Sequence, residues 1–434
     1  MNRQYKIVVA GTGYVGLVTG VCLAELGHHV TCVDVVKEKI AMMQKGISPI
    51  YEPGLPELMV KNRDKIIYTT DYKNAYEFAD VVFIAVGTPE QEDGSANLNY
   101  VRLVSKEIAE SIRKDCVIVV KSTVPIGTND EVERFIKDSL KHDVRVSIAS
   151  NPEFLSQGSA VKDTLHAKRI VIGVEDKWAE EILVDVYSGF DQPFVITNRR
   201  SAEMIKYASN DYLALKISYI NEIANMCELV GANVEEVTRG MSYDSRIGKE
   251  FLKAGIGFGG ACFPKDTKAL YNQASSEFGY EMQTIKAAID VNARQKTKLF
   301  FEAKKRFGSF ENLKVGILGL TFKPATDDLR EAPSVDNINM LLKNGAQIKA
   351  YDPVGEDNAR RIFQDTIAYE KSIEATIKDQ DVVFIMTEWP EIVTFDINKY
   401  CQLMKKPIVF DGRNCYEVAK MKACGIEYIS IGRR

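Results

Sequence analysis

The strongest constraint on this chain is a series of short Val/Ile-rich runs that carry no polar alternation, at residues 6–10, 29–33, 80–86, 117–121 and 146–149. A strand with one wet face alternates apolar and polar side chains, whereas a strand covered on both faces is apolar throughout. Amphipathic stretches of helical period separate the runs. Residues 5 to about 150 therefore read as parallel strands with helical crossovers, a doubly wound α/β unit. The pattern then returns. Lys6-Ile-Val-Val-Ala-Gly11 resembles Lys314-Val-Gly-Ile-Leu-Gly319, and Asp80-Val-Val-Phe-Ile-Ala85 comes back as Asp381-Val-Val-Phe-Ile-Met386. The next strand ends at an acid in both copies, Asp34 and Asp352.

Between the two copies, residues 201–230 keep a helical pattern without Gly or Pro, and Gly231 stops it. More helix is expected from Asn233 and again from about Lys265. A helix near 30 residues exceeds the common ~8–20, so it is expected to bridge domains or form a dimer seam. The length of 434 residues suits two or three domains. The expected architecture is α/β, with two Rossmann-like doubly wound parallel sheets joined by a central long helix and helical domain. The divisions fall at 1–198, 199–300 and 301–434. A cleft between the sheets is the default ligand site, because ligands bind at the carboxyl ends of such strands.

Composition narrows the partners. The 56 basic against 60 acidic residues leave a net charge of −4 with no basic block, which argues against nucleic acid or an anionic membrane surface. No apolar run approaches the ~18 residues of a membrane span, and the run that starts at Ile7 is too short for a signal-peptide core. Eight cysteines without a CxxC or Cys/His cluster fit a reduced, metal-free, cytoplasmic protein. Cys22, Cys32, Cys227 and Cys424 sit in apolar runs and read as small buried hydrophobes.

Two motifs carry chemistry. Gly11-Thr-Gly13-Tyr14-Val15-Gly16 follows a predicted strand and opens a helix, with Asp34 ending the next strand. Gly11 allows the turn, Gly13 lets a pyrophosphate approach the backbone, and Gly16 lets the helix pack closely. Asp34 can accept hydrogen bonds from ribose hydroxyls and repels a 2′-phosphate, so NAD is expected rather than NADP. The Gly316-Ile-Leu-Gly319 turn of the second copy lacks this fingerprint and is expected to take another ligand or none. The second motif, residues 255–266, packs four glycines into six positions just before Ala261-Cys262-Phe-Pro264-Lys265-Asp266. Pro264 pre-sets a helix start there, and the helix N-terminus and Lys265 both favour a Cys262 thiolate, the form of an activated nucleophile.

Other segments are weaker alone. Lys206 and Asn210 lie one turn apart on an otherwise apolar stripe with Leu213 and Ile217, as polar groups that need a partner or as a solvated helix end. Tyr212 and Lys216 also fit YxxxK, which is expected by chance among 19 tyrosines. Lys121-Ser-Thr123-Val-Pro125 and Asn151-Pro-Glu153-Phe154 each follow a predicted strand, and Glu153 reads as a turn cap or a general base. Arg246, residues 251–254, Lys323-Pro324 and Asp411-Gly-Arg413-Asn414 supply basic or loop positions suited to an anionic substrate.

Together GTGYVG (11–16), VGTP (86–89), KSTVPIGT (121–128), NPEFL (151–155), the Lys206/Asn210 helix, GFGGACFPKD (257–266), LTFKPATDDLREAP (320–333) and DGRN (411–414) resemble the UDP-glucose/GDP-mannose dehydrogenases. The resemblance spans nearly the whole chain, and GFGGACFPKD and TFKPATDDLREAP point to its UDP-glucose-oxidising branch. It implies an N-terminal NAD domain, a central dimerising helix and a C-terminal UDP-binding domain. It also implies a four-electron oxidation of the sugar C6 alcohol to a carboxylate, using two NAD. By position, Cys262 is the implied nucleophile, passing through a thiohemiacetal and a thioester. Lys206 and Asn210 stabilise the oxyanion, and Asp266, Thr123 and Glu153 serve acid/base chemistry with an ordered water. The implied NAD contacts are Gly11, Gly13, Tyr14, Val15, Gly16, Asp34, Lys39, Thr88, Thr123, Glu153, Lys265 and Arg330. The implied substrate contacts are Glu153, Phe154, Leu155, Lys206, Asn210, Phe251, Leu252, Lys253, Ala254, Gly255, Gly259, Lys323 and Arg413. Arg246 is expected to reach the substrate of a partner subunit. Gln157, Ala261 and Glu90 depart from the family's usual Glu, Ser and Thr. The alternatives are a related enzyme for GDP-mannose or a UDP-N-acetylhexosamine, a two-electron hydroxyacid dehydrogenase, or a non-catalytic sensor.

Overall fold

The computed structural model describes residues 3–433. The chain divides into two compact units between Ser209 and Asn210, inside one continuous helix, Arg199–Val230, of 32 residues. Gly231 follows it at φ +76, a left-handed stop that suits a residue without Cβ. Asn233 caps the next helix, Val234–Ser242, by accepting the Glu235 N–H.

The first unit holds eight strands: β1 Lys6–Ala10, β2 His29–Val33, β3 Ile66–Thr69, β4 Val81–Ile84, β5 Cys116–Val120, β6 Val146–Ser150, β7 Ile170–Gly173 and β8 Phe194–Thr197. Their order in the sheet is β3-β2-β1-β4-β5-β6-β7-β8. Neighbours pair in parallel except β6 with β7, which run antiparallel through Ser150 and Gly173. The sheet is thus more than the five runs first legible. β3 and β8 both carry exposed residues, β3 in alternation, and β7 follows a turn-rich stretch. Alternate residues go to opposite faces, as a pleated strand requires. Ile7, Val9, Phe83, Val117 and Val119 build one core, and Val8, Ala10, Val82, Ile84, Ile118 and Val120 the other.

The second unit repeats the device with six parallel strands: β9 Lys314–Leu318, β10 Gln347–Tyr351, β11 Ala368–Tyr369, β12 Val382–Ile385, β13 Ile408–Asp411 and β14 Glu427–Ser430, in the order β11-β10-β9-β12-β13-β14. The sequence repeat is therefore a structural one, since β1 and β9, and β4 and β12, hold equivalent places. Val315, Ile317, Phe384 and Phe410 face a core shared with Ile220, Ala224 and Cys227 of the long helix, and Leu318, Val383, Ile385 and Val409 face the other. Cys22, Cys32 and Cys227 are buried, as expected of small hydrophobes, and so is Cys116. Cys424 is not. It caps the C-terminus of the helix Val418–Ala423, where the chain turns outward, and its thiol lies 3.6 Å from Asn398 Oδ1.

The two equivalent acids differ in use. Asp352 is buried after β10, and its carboxylate accepts the N–H groups of Leu320, Thr321, Val354 and Gly355 with the Thr321 hydroxyl and the Trp389 indole, at 2.7–3.2 Å. It ties the β9 turn to the loops after β10 and β12, which leaves no room for a ribose role. Asp352→Ala strands these donors, and we expect it to cost about 3 kcal/mol or more of stability. Urea denaturation measures this, and a loss under about 1 kcal/mol would contradict the assignment.

Candidate active site

In the first unit the fingerprint turn joins β1 to the helix Tyr14–Glu25, with Gly13 as N-cap. Gly11 stands at φ +97, where a Cβ would also lie 2.7 Å from Ala85 O. A Cβ on Gly16 would collide with Gly11 O, whereas Gly13 has nothing within 4 Å of its Cβ position. The first two glycines named close the turn and pack the helix; Gly13 leaves open the approach to the helix's first N–H groups. That approach fits a pyrophosphate. Asp34 Oδ2 accepts the Thr12 N–H and hydroxyl at 2.9 and 2.5 Å, and Oδ1 accepts the Val36 N–H at 3.0 Å. Burial pushes this carboxyl up, but the Thr12 and Val36 hydrogen bonds and the Lys39 charge outweigh it and hold it below the usual carboxylate range. A fixed anion with lone pairs to spare accepts ribose hydroxyls and rejects a phosphate. Tyr14 donates to Tyr51 O at 2.6 Å, Val15 packs on the core, and Thr88 donates to Thr123 O at 2.9 Å, joining the loops after β4 and β5.

At the carboxyl ends of β5 and β6 stands a buried polar group. Lys206, 3% exposed on the long helix, donates to Glu153 O at 2.7 Å and Oε1 at 2.9 Å. Glu153 Oε2 also accepts the Leu155 N–H at 2.8 Å, so the turn cap and the ion pair are one residue's two uses. Lys121 donates to Asn151 Oδ1 at 2.9 Å, and Tyr187 donates to the same oxygen at 2.6 Å. Burial pushes the Lys121 ammonium down to about 8, with Glu153 opposing and Lys206 adding to the fall. Two lysines thus stand near one carboxylate, Lys206 bonded to it and Lys121 within reach of its charge. Phe154 is clamped by the Arg169 guanidinium, 3.9 Å from its ring centroid, and Arg169 donates to Ser209 at 3.3 Å.

In the second unit Cys262 is the N-cap of the helix Phe263–Phe278, which begins two residues before the expected Lys265 and carries Pro264 in its first turn. The thiol therefore belongs to the residue at the positive end of that helix. Asp266, one turn on and 1% exposed, accepts the Asn210 amide at 2.7 Å and the Lys265 ammonium at 2.6 Å. Asn210 is thus a buried group with a protein partner. Tyr212 of the chance YxxxK match is exposed.

The glycine loop is laced to the other predicted segments. Ile256 N–H donates to Gly412 O at 2.9 Å and Gly260 N–H to Arg330 O at 2.8 Å. Asn221 accepts the Gly255 N–H at 2.8 Å, and Gln295 donates to Gly255 O at 2.7 Å. A Cβ at Gly255 would lie 2.9 Å from Gly412 O, and one at Gly259 would strike Glu331 O. Arg413 donates to Met386 O, Gly257 O and Phe322 O at 2.9, 3.1 and 3.1 Å, so one guanidinium gathers β12, the glycine loop and the segment before Lys323. Phe251, Ala325, Glu331 and Asn414 in these segments have φ between +54 and +63. Left-handed non-glycine residues cost of order 1 kcal/mol or more each and gather where a binding surface over-determines the backbone. Leu252 and Ala254 are buried, Lys253 lies 3.9 Å from Glu388, and Lys323 stands 5.7 Å from the Phe322 ring centroid. Arg330 and Arg246 are exposed and pair with Asp328 and Asp244, each at 2.6 Å. Sequence reasoning missed Arg169, noted Lys121 only as part of a loop, and passed over Asp211, whose place on the buried stripe with Tyr207, Ala214 and Ser218 was the available signal.

Among the described residues no group of three His, Cys, Asp or Glu side chains could hold a metal, and no helix is long and apolar enough to cross a membrane. Residues 5–191 match the NAD binding domain of the UDP-glucose/GDP-mannose dehydrogenase family, 200–294 its central domain and 316–418 its UDP binding domain. The chain is 49% identical over 431 residues to the UDP-glucose 6-dehydrogenase YwqF of Bacillus subtilis, covering 99% of this chain and 98% of that one. It superposes on a UDP-glucose dehydrogenase from Pyrobaculum islandicum with a TM-score of 0.92 at 37% identity, covering 99% and 97%. A UDP-D-ManNAc dehydrogenase from Pyrococcus horikoshii gives 0.86 at 26% identity, covering 98% and 99%. With matched domains spanning most of its length, and a fingerprint that fits the dinucleotide, this chain belongs to the UDP-glucose/GDP-mannose dehydrogenase family of NAD-dependent oxidoreductases.

Proposed function

We propose that this chain oxidises UDP-glucose at C6 to UDP-glucuronate, with 1–198, 199–300 and 301–434 as its NAD, central and UDP-sugar parts. The observation that carries the reading is Cys262 at a helix N-terminus, beside a glycine loop laced to Gly412, Arg413 and Arg330. An alcohol dehydrogenase that stops at the carbonyl has no use for a thiol there. The 49% identity to a UDP-glucose 6-dehydrogenase, against 26% to a UDP-D-ManNAc dehydrogenase, supports UDP-glucose among sugar nucleotides.

NAD, bound at Gly11–Gly16 and Asp34, supplies the hydride acceptor for each of two oxidations. The chain's own residues do the rest. Asp266, with an ordered water, takes the proton of the C6 hydroxyl, assisted by Thr123 and Glu153. The Cys262 thiolate adds to the aldehyde carbon, and the carbonyl oxygen becomes the thiohemiacetal oxygen. Lys206 and Asn210 stabilise that oxygen while negative. The covalent bond keeps the aldehyde from hydrating or leaving between oxidations. Loss of the second hydride makes a thioester, water adds to its carbonyl, and the carboxylate leaves as the thiol is restored. Lys323 and Arg413 hold the nucleotide sugar with the 251–255 loop and Gly259, and Lys265 and Arg330 reach NAD.

We also infer a cytoplasmic homodimer without a resident metal. Tyr212, Tyr219 and Met226 recur at heptad spacing on the long helix, each at least half exposed, and continue to Leu229 and Val230. An apolar stripe repeating every seven residues suits a second helix of the same kind, and Arg246 would serve the partner's substrate.

The deciding measurement is NADH formed per UDP-glucose consumed at completion with excess NAD. A ratio near two is expected; a ratio near one breaks the thioester route, and turnover only with GDP-mannose or a UDP-N-acetylhexosamine moves the reading to that substrate. Cys262→Ser is expected to keep ligand binding, checked by calorimetry, and to lose net formation of the acid by at least about 10²-fold. Tyr219→Lys with Met226→Glu is expected to give monomers by analytical ultracentrifugation; an unchanged sedimentation coefficient rules out this seam.

A further inference from the structure

The long helix carries a buried acid, next to Asn210, that this chemistry leaves unused. Asp211 follows Asn210 directly, is 2% exposed, and neither of its carboxyl oxygens has a hydrogen-bond partner. An ionised carboxylate without donors is strongly disfavoured in a dry interior, and such a group takes up a proton instead. Burial, joined by the negative charge of Asp266, pushes Asp211 from 3.8 up to about 8. Of the titratable groups around it, Asp266 on the facing helix Phe263–Phe278 is the one whose charge acts on Asp211; Lys265 is spent on Asp266 itself. Asp266 is the opposite case. Asn210 and Lys265 each donate to one of its oxygens, and it stands in the first turn of a helix, where negative charge is stabilised. Two coupled buried carboxyls, one rich in donors and one without, divide charge and proton unequally.

We propose that Asp211 is a positioning residue that works through Asp266: the two buried carboxyls carry one proton between them, held on Asp211, so that Asp266 stays in the anionic form that can accept a proton from the substrate. The assignment rests on reading Asp266 as the acid/base group. When the C6 O–H breaks and its proton reaches Asp266, the charge that kept Asp211 neutral disappears. From that doubly protonated state the carboxyl with donors gives up its proton first, so the pair returns to one proton, held on Asp211. The coupling also has a stability sign. The folded protein prefers neutral Asp211, so its cost is absent below about pH 4, grows up to about pH 8 and is full above that.

Difference infrared spectroscopy of the whole protein between about pH 6 and 10 tests the pair without any turnover. The wild type is expected to lose a buried protonated-carboxyl band with a midpoint near pH 8. Asp211→Asn is expected to lack that band, and Asp266→Asn to shift it at least about one pH unit lower. The wild-type melting temperature should fall relative to Asp211→Asn as pH rises from about 6 to about 8 and hold level above that. With UDP-glucose and NAD, the limb of kcat against pH near 8 should vanish or move by about one unit or more in Asp211→Asn. Absence of the band in the wild type, or its indifference to Asp266→Asn, overturns the proposal, as do superimposable kcat profiles. If the wild type makes no NADH from UDP-glucose, the substrate reading fails while the infrared result still decides on the pair. Should Asp211→Asn not fold, the wild-type band and its response to Asp266→Asn decide alone.

Discussion

Burial of short apolar strands on both faces is the constraint from which the rest of this molecule follows. A β-strand whose two faces are both covered offers no surface for chemistry along its length, so ligands are left with its ends. In the first unit Val8 and Val9 point to different cores, as do Val82 and Phe83, and all four are inaccessible. Polar residues appear where these strands stop. Thr12 and Asp34 follow β1 and β2, and Lys121, Asn151 and Glu153 follow β5 and β6. The second unit obeys the same rule at Thr321, Asp352, Glu388 and Arg413.

The repeated architecture has been put to two uses by small changes at the strand ends. Asp34 takes its hydrogen bonds from Thr12 and Val36, and the first glycine turn is open at Gly13. Asp352, its counterpart, is saturated by two backbone turns, a hydroxyl and an indole. The first arrangement leaves an anion able to recognise a ribose. The second makes a strut between the turn after β9 and the loops after β10 and β12.

Two groups of ionisable side chains stand out among the buried ones. Lys206, Glu153 and Lys121 in one unit, and Asp266 and Asp211 with the part-buried Lys265 in the other, are held in places where an unpaired charge is costly. Such places are maintained by the well-packed sheets beside them and suit proton movement, because small changes in charge have large energetic consequences in a low dielectric. The long helix contributes to both groups, through Lys206 before the division between the units and Asn210 and Asp211 after it.

Much of this was legible from residue order. Periodicity located β1, β2, β4, β5 and β6, the long helix to within two residues of its start, and the repeat, because each depends on contacts within one element. The edge strands β3 and β8 were not legible, since each offers only three successive apolar residues, Ile66–Tyr68 and Phe194–Ile196, and nothing local announced the antiparallel entry of β7. Gly11, Gly13 and Gly16 declared their roles by spacing, and Cys262 by the proline that follows it. The meeting of Lys206 with Glu153 across 53 positions, of Asn210 with Asp266 across 56, and of Arg413 with Gly257 across 156 did not. The sequence by itself determined the central strands, which turn receives a dinucleotide and which cysteine heads a helix, because those properties are set by neighbours a few residues apart. Only the tertiary structure decided which buried charges share a partner and which, like Asp211, have none, because that depends on which distant backbones the two sheets bring together.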